Sequence, residues 1–496
     1  MIPVVVAAAV TGIVRIWYLA GPRVQFNADE ATTGIMVREI LQGRHFTFYA
    51  GQDYGGSLEQ YLQAASYLVL PLSPTAFTLR LTQVALSMTT CVLVYLVAAR
   101  VLSSKSRAGV AALLFAVSPW FNVIMGATSL GFYVAGQTLS TAMLYAALRS
   151  ADAFRAGWWL LGTGLVAGLA MWTSLTSLYF LLPVFIWLLP VLRCDARRWS
   201  AVVLGFMLGA LPLLAWVARH GRLGVPGVPA EQTTTADRIR NLFGPVIHEY
   251  VGVAYSHMQG GLWLPAQLVV VAALVAAYAR ALVRRSGLRA FVLLRVAERR
   301  PADLLLAIPP VVVVLYAGSS SAWYTGTPRY LFVTYPVLAV GLAALVPARD
   351  ALRRGIATLS VVSLSVVLSF GFFHGPASEL RTPKGDAVLR QVTEALVVEH
   401  QTRVYAAYWT AMPLQYVAED RLVVGVCTGV RRFPDAQAAV RAAPAPAYIG
   451  SDYDGSAERI LAALTGRHIG FRARRIGYVT IYDRLSSRVG PGDLGL

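Results

Sequence analysis

Residues 26–34 of this 496-residue chain read FNADEATTG, placing two carboxylates, Asp29 and Glu30, side by side just after the first apolar segment. Carboxylates at that point can serve a helix start, where they cap free N–H groups and favour the macrodipole; Asn27 or Asp29 suits the cap. They can equally deprotonate a hydroxyl or hold a divalent cation such as Mg or Mn. Residue type alone leaves both roles open. A second polar group follows in YAGQDYGGSLEQ, where Asp53, Tyr54 and Glu59 are candidates for contacting a hydroxyl-bearing substrate. Asp53 sits in a Gly-rich turn and Glu59 opens a helix, both good structural positions for these residues. A third set is His248, Glu249, Tyr250 and His257. HEY is not H-E-x-x-H and no Cys joins it, so zinc is disfavoured, and a lid or an acceptor-binding loop suits it better. Ser451–Gly455, SDYDG, has the D-x-D spacing of some metal-holding sugar transferases, but directly before SAERI it reads first as a turn and helix cap. There is no Walker A loop and no convincing G-x-G-x-x-G.

The elements that position these residues are mostly apolar. The chain is 56% hydrophobic and 14% charged, against about 25% charged in an ordinary soluble domain. Apolar runs near 2–20, 79–100, 108–125, 130–148, 157–172, 174–192, 200–218, 262–282, 303–317, 329–347 and 355–374 predict about eleven transmembrane helices. MWTSLTS interrupts the 157–192 region. The net charge of +18 does not indicate nucleic acid, because residues 1–375 hold 28 basic and 13 acidic residues while 376–496 hold 15 and 12. The excess lies in short clusters between spans, as orientation signals do. With the N-terminus inside, 18 basic residues fall in cytoplasmic loops and 8 in the longer outer ones. That asymmetry predicts a multi-pass protein of the plasma membrane with loop 21–78, loop 219–261, SAWYTGTPRY and the whole tail outside. Cys91, Cys194 and Cys427 are far apart and form neither a disulfide framework nor a C-x-x-C pair. A cleavable signal peptide is not expected, since there is no basic leader and Arg15 interrupts the first apolar run.

Within the first outer loop, ATTGIMVREILQG and LEQYLQAASYLVLPL predict two helices along the outer membrane surface, roofing a cavity. Residues 1–375 thus read as one all-α polytopic membrane domain. Residues 376–496 read as a small extracytoplasmic α/β domain with a parallel or mixed sheet. Its strands are RVYAAY, RLVVGVC, APAYIG and RRIGYVTIYDRL, alternating with the helical WTAMPLQYVAED and SAERILAALTG. No internal repeat of 20–50 residues occurs.

VRIWYLAGPRVQFNADEATTGIMVREILQG followed by YAGQDYGGSLEQYL resembles the start of the GT-C membrane glycosyltransferases, among them the protein O-mannosyltransferases, the aminoarabinose transferases of lipid A and the Rgt-type sugar transferases. The matching positions are Arg15, Asp29-Glu30-Ala31, Val37-Arg38-Glu39, Gly43 and Tyr54-Gly55-Gly56; PRYLFVTYPVLAVGLAAL, from Pro328, is similar to a late span of that family. The resemblance implies transfer of a sugar from a polyprenyl-phosphate donor to a hydroxyl of a glycan, lipid or protein acceptor, by inversion in a single displacement. It implies Asp29 as general base, with Glu30 supporting it or a metal. A departing phosphate needs a cation, and arginine pairs with phosphate oxygens as a fork. Arg329 with Tyr330 is the first candidate; Arg15, snorkelling outward from helix one, is the second. The family's second acidic residue, in the loop after the third span, has no counterpart in NVIMGATSLGFY unless Asp53, Glu59 or Glu249 replaces it. The alternative is a transporter or lipid flippase. Such proteins show repeats and mid-membrane ionisable residues, whereas here only Arg15 is clearly intramembrane and the reactive residue types gather at one surface. A non-catalytic scaffold whose outer domain binds a partner is a third possibility.

Overall fold

The computed structural model describes the chain apart from residues 1, 22–25, 71, 73–74, 152–155, 193–194, 225–233, 256–259, 263, 284–298, 320–327, 348–350 and 375–384. Several expectations therefore lie outside the described residues: the Pro/Gly-rich start of the second outer loop, His257, four arginines between Arg284 and Arg295, SAWYTGT, and the junction at 375/376.

The membrane part is a helical bundle. Its first half comprises α1 Ile2–Ala20, α2 Ala28–Leu41, α3 Leu58–Val69, α4 Ala76–Leu102, α5 Lys105–Ala116, α6 Trp120–Met125, α7 Tyr133–Ser150, α8 Ala156–Thr173, α9 Leu178–Leu192, α10 Ala196–Gly209 and α11 Leu211–His220. Then come α12 Thr235–Asn241, α13 Ile247–Tyr250, a two-residue ladder (β1 Ala254–Tyr255, β2 Gly260–Gly261), α14 Leu264–Val283, α15 Pro301–Leu306, α16 Ile308–Gly318, a 3-10 turn Pro328–Thr334, α17 Tyr335–Ala344 and α18 Ala351–His374. Five described segments are long and apolar enough to cross a membrane: Ile2–Ala20, Ala76–Leu102, Leu175–Leu192, Leu264–Val283 and Pro301–Gly318. The pair α10–α11, bent by 69°, makes a sixth if taken as one broken span. Of the other expected spans, 355–374 is the 24-residue helix α18, and the rest are helical but shorter or less apolar. Residues 108–125 break at Pro119 between α5 and α6, and 329–347 begins as the 3-10 turn. MWTSLTS is an irregular joint, with a short 3-10 turn Leu175–Ser177 between α8 and α9.

Helices α8 and α10 meet backbone to backbone. A Cβ on Gly164 would lie 2.1 Å from the Val202 carbonyl oxygen, and one on Gly168 would lie 2.3 Å from that of Phe206. On the facing helix, a Cβ on Gly205 or Gly209 would lie 2.1 Å from the Leu161 or Leu165 carbonyl oxygen. Two small-xxx-small faces, Gly164/Gly168 and Gly205/Gly209, thus lock together, a packing mode suited to lipid, where no hydrophobic drive separates helix from solvent.

The tail folds as α19 Gly385–Val398, β3 Arg403–Ala407, α20 Tyr408–Ala418, β4 Val423–Thr428, α21 Pro434–Ala442, β5 Ala447–Ser451, α22 Ser456–Gly466, β6 Arg472–Ile476 and β7 Val479–Asp483. The sheet order is β4-β3-β5-β7-β6. Helical crossovers make β4, β3 and β5 parallel, while β7 pairs antiparallel with β5 and β6. The expected single closing strand RRIGYVTIYDRL is instead a hairpin turning at Gly477, whose positive φ an L side chain would resist.

Helix α2 packs against the tail domain as well as the bundle. Ala28, Ala31 and Ile35 belong to the hydrophobic core of the tail, beside Leu389, Val404, Met412 and Ile449. Gly34 permits this approach, because a Cβ there would sit 2.3 Å from the Tyr416 ring. Arg38 adds a hydrogen bond to the Tyr416 carbonyl at 3.0 Å and lies over that ring. The 21–78 segment is therefore clamped, through α2, between the bundle and the tail.

Candidate active site

Asn27, not Asp29, caps α2: its side chain accepts from the Glu30 N–H at 3.0 Å. Asp29 is thereby released from the structural role that residue type left open. Its Oδ1 accepts from the Tyr408 hydroxyl at 2.6 Å, and Arg432 stands 3.6 Å from the same oxygen. Its backbone carbonyl accepts from the Tyr49 hydroxyl at 2.6 Å. Among the described residues no donor reaches Oδ2, and the side chain keeps 16% exposure, so one carboxylate oxygen is open. Burial pushes the phenols of Tyr49 and Tyr408 well above their usual range, and the Asp29 charge adds to the shift. Both stay protonated and act as donors.

Packed rings connect Asp29 to Arg329: Tyr49, bonded to the Asp29 carbonyl, meets Phe132 edge-on at 6.4 Å, and Phe132 stacks on Tyr133 at 4.8 Å. Tyr54 and Tyr133 each feel the charges of both Arg329 and Asp29, and Arg329 lies over the Tyr133 ring at 5.7 Å. Tyr330 is in the same electrostatic neighbourhood, with Tyr133, Arg329 and Tyr54. The turn that carries Tyr54 is fixed by packing. Gly55 has φ +72°, and a Cβ there would lie 2.1 Å from the Phe132 ring; one on Gly56 would lie 2.8 Å from the Trp172 carbonyl oxygen. The aromatic-glycine motif thus holds its tyrosine by close approach to the bundle. One carboxylate, two guanidinium groups and a ring of phenols result, a net positive site suited to an anionic leaving group.

Glu30 is elsewhere. It is fully buried, and its two oxygens accept from Arg80 at 2.7 and 2.6 Å, with the Ser129 N–H on Oε1 at 3.0 Å. This corrects the expectation that it supports Asp29 in holding a metal. Both Glu30 oxygens are engaged by Arg80, Asp29 has an arginine beside it, and no group of three His, Cys, Asp or Glu that could hold a metal occurs among the described residues. The donor set does not fit Mg or Mn at this point. Arg80, near the start of α4, is like Arg15 an arginine buried on an apolar helix, overlooked in the sequence because the apolar run around it masks its need for a partner.

The other candidates scatter. Glu59 is buried and accepts from Gln83 and from the Ala135 N–H, each at 2.7 Å, so it ties α3 to α4 and α7. Asp53 forms an exposed ion pair with Arg222 at 2.7 Å, joining the segment before α3 to the one after α11. His248 bonds the Gly244 carbonyl at 2.5 Å; Glu249 and Tyr250 follow it on α13, with Tyr250 bonded to Thr334 at 2.8 Å, behind the 3-10 turn that carries Arg329. Arg15 does not snorkel: it is fully buried, its NH1 donates to the Thr11 carbonyl at 3.3 Å, and its guanidinium lies over Phe115. SDYDG is a turn and cap, with Asp454 accepting from the Ser456 N–H and from Thr410.

The family model for dolichyl-phosphate-mannose-protein mannosyltransferases matches residues 58–217. The structure is similar to that of ArnT from Cupriavidus metallidurans bound to undecaprenyl phosphate, with TM-score 0.64 and 12% identity over 98% of this chain and 99% of that one. The apo state of that ArnT gives 0.61 and 12% identity, with 97% of each chain covered. The Archaeoglobus fulgidus oligosaccharyltransferase in its apo form gives 0.54 and 13% identity, covering 84% of this chain and 63% of that one. The chain has the fold of the GT-C membrane glycosyltransferases. No curated protein matches it in sequence. With its apolar helices, the GT-C fold makes this an integral membrane protein. The GT-C likeness spans bundle and tail together, so the tail domain is part of the fold rather than an appendage.

Proposed function

We propose that this protein transfers a sugar from a polyprenyl-phosphate donor to a hydroxyl acceptor, on the outer face of the plasma membrane. The observation that carries the proposal is that Asp29, with one open carboxylate oxygen, is joined to Arg329 through the packed rings of Tyr49, Phe132 and Tyr133. Support comes from the mannosyltransferase family match and from a similar fold bound to undecaprenyl phosphate. Asp29 Oδ2 takes the proton of the acceptor hydroxyl as its oxygen attacks the sugar's anomeric carbon. The bond from that carbon to the phosphate oxygen breaks, and the charge left on the phosphate is met by Arg329 and by phenol donors already aimed and held. The anomeric centre inverts. The basic clusters assigned to the cytoplasmic side support the outward orientation.

Radiolabelled sugar transfer from polyprenyl-phosphate donors in membranes tests this. Asp29→Asn should lower the rate by about 10²- to 10⁴-fold, the usual worth of a general base. Arg329→Ala should cost about 10²-fold or more, as loss of an anion-stabilising donor does. Full activity of Asp29→Asn would remove it as the base.

A further inference from the structure

The guanidinium of Arg432, on the segment between β4 and α21, is nearly buried where the edge of the tail's core meets the first loop. It lies over the rings of Tyr49 at 5.0 Å and Tyr408 at 5.4 Å. Its NH1 donates to the Ala50 carbonyl at 3.2 Å and to Gln52 Oε1 at 2.9 Å. Its Nε donates to the Tyr408 hydroxyl at 3.3 Å, and that hydroxyl donates onward to Asp29 at 2.6 Å. The backbone is fitted to this contact: a Cβ on Gly51 would meet the Arg432 Cα at 2.7 Å and the Arg431 carbonyl oxygen at 2.8 Å. Two residues more than 370 positions from Asp29 in sequence thus form a relay, arginine to phenol to carboxylate, closed across the first outer loop.

We infer that Tyr408 and Arg432 of the C-terminal domain are positioning residues for Asp29: they hold Oδ1 so that Oδ2 faces the acceptor, and the active site is complete only with the tail docked. The inference rests on the glycosyltransferase proposal above. Ion pairing to Oδ1 fixes the carboxylate rotamer, and a reacting atom displaced by about 1 Å can cost about 10²-fold. Neither residue touches the reacting atoms; both act through Asp29.

The test uses the full chain in membranes, with polyprenyl-phosphate-linked sugar as donor. Tyr408→Phe keeps the buried ring and removes only the hydroxyl. It should lower kcat about 10- to 100-fold while donor KM moves less than about threefold. Arg432→Lys keeps the charge but loses the fork, and should fall between wild type and Arg432→Ala. In the Asp29→Asn background, Tyr408→Phe should cost no more than about twofold further, since a residue acting through another adds nothing once that one is gone. Tyr408→Phe at wild-type kcat would overturn the inference, as would an equal penalty with and without Asp29. Those results leave sugar transfer itself standing. A wild-type chain that transfers no sugar sinks the functional proposal and this inference with it.

Discussion

At the residue scale, the two neighbouring acids part company because successive helical positions are about 100° apart. Asp29 turns to the tail; Glu30 turns into the bundle, where Arg80 neutralises it. Breaking one partner of a buried pair leaves the other charge unsolvated, at about 3–5 kcal/mol, whereas removing both can be nearly neutral. Glu30→Leu and Arg80→Met should therefore each lower the thermal unfolding midpoint in detergent sharply, and the double variant should recover much of the loss. Additive losses would show that the pair is not the determinant. Glu59 gives a pH effect. Burial lifts its carboxyl to about 7, outweighing the hydrogen bonds from Ala135 and Gln83 that favour its ionised form. The folded protein thus binds this proton more tightly than the unfolded chain. Its contribution is full below about pH 4.5 and is lost as pH rises through 7, on the order of 3 kcal/mol in all. Glu59→Gln should flatten the pH dependence of the unfolding midpoint in that window. Asp29 was legible in the sequence because its neighbours carry a pattern. Tyr408 and Arg432 were not, since only the tertiary fold brings them to it.

At the element scale, hydrophobic periodicity found the helices and the MWTSLTS joint but not two other breaks. Pro119 and the 69° bend between α10 and α11 are local backbone events inside runs that stay apolar throughout. The glycine faces of α8 and α10 were present in the sequence as Gly164-x₃-Gly168 and Gly205-x₃-Gly209, yet spacing alone does not tell which helix each would meet. Because the atoms opposing them are backbone, no side chain can move aside. Gly168→Ile should destabilise by about 1–3 kcal/mol or more through overpacking, seen as a lowered unfolding midpoint. Gly157→Ala, with nothing within 4 Å of its Cβ, should be near neutral. Equal effects at both positions would show that helix propensity, not contact, governs.

At the scale of the whole molecule, α2 belongs to two bodies. It carries Asp29 to the site, pairs Glu30 with α4, and lends Ala28, Ala31 and Ile35 to the core of the tail. Composition could divide the chain at about 375 but could not show that a helix near residue 30 closes a domain beginning more than 340 residues later. A tail deprived of α2 would expose the face of α20 that carries Tyr416, so docking is driven by burial as well as by the Arg432 relay. Ala31 is fully buried in that contact. Ala31→Asp places an unpaired charge there, at a cost of several kcal/mol. Amide hydrogen exchange should then quicken across α19 and α20, and sugar transfer should fall with it, while the α8–α10 contact keeps its protection. Exchange that quickens throughout the chain would instead show that tail and bundle unfold as one unit.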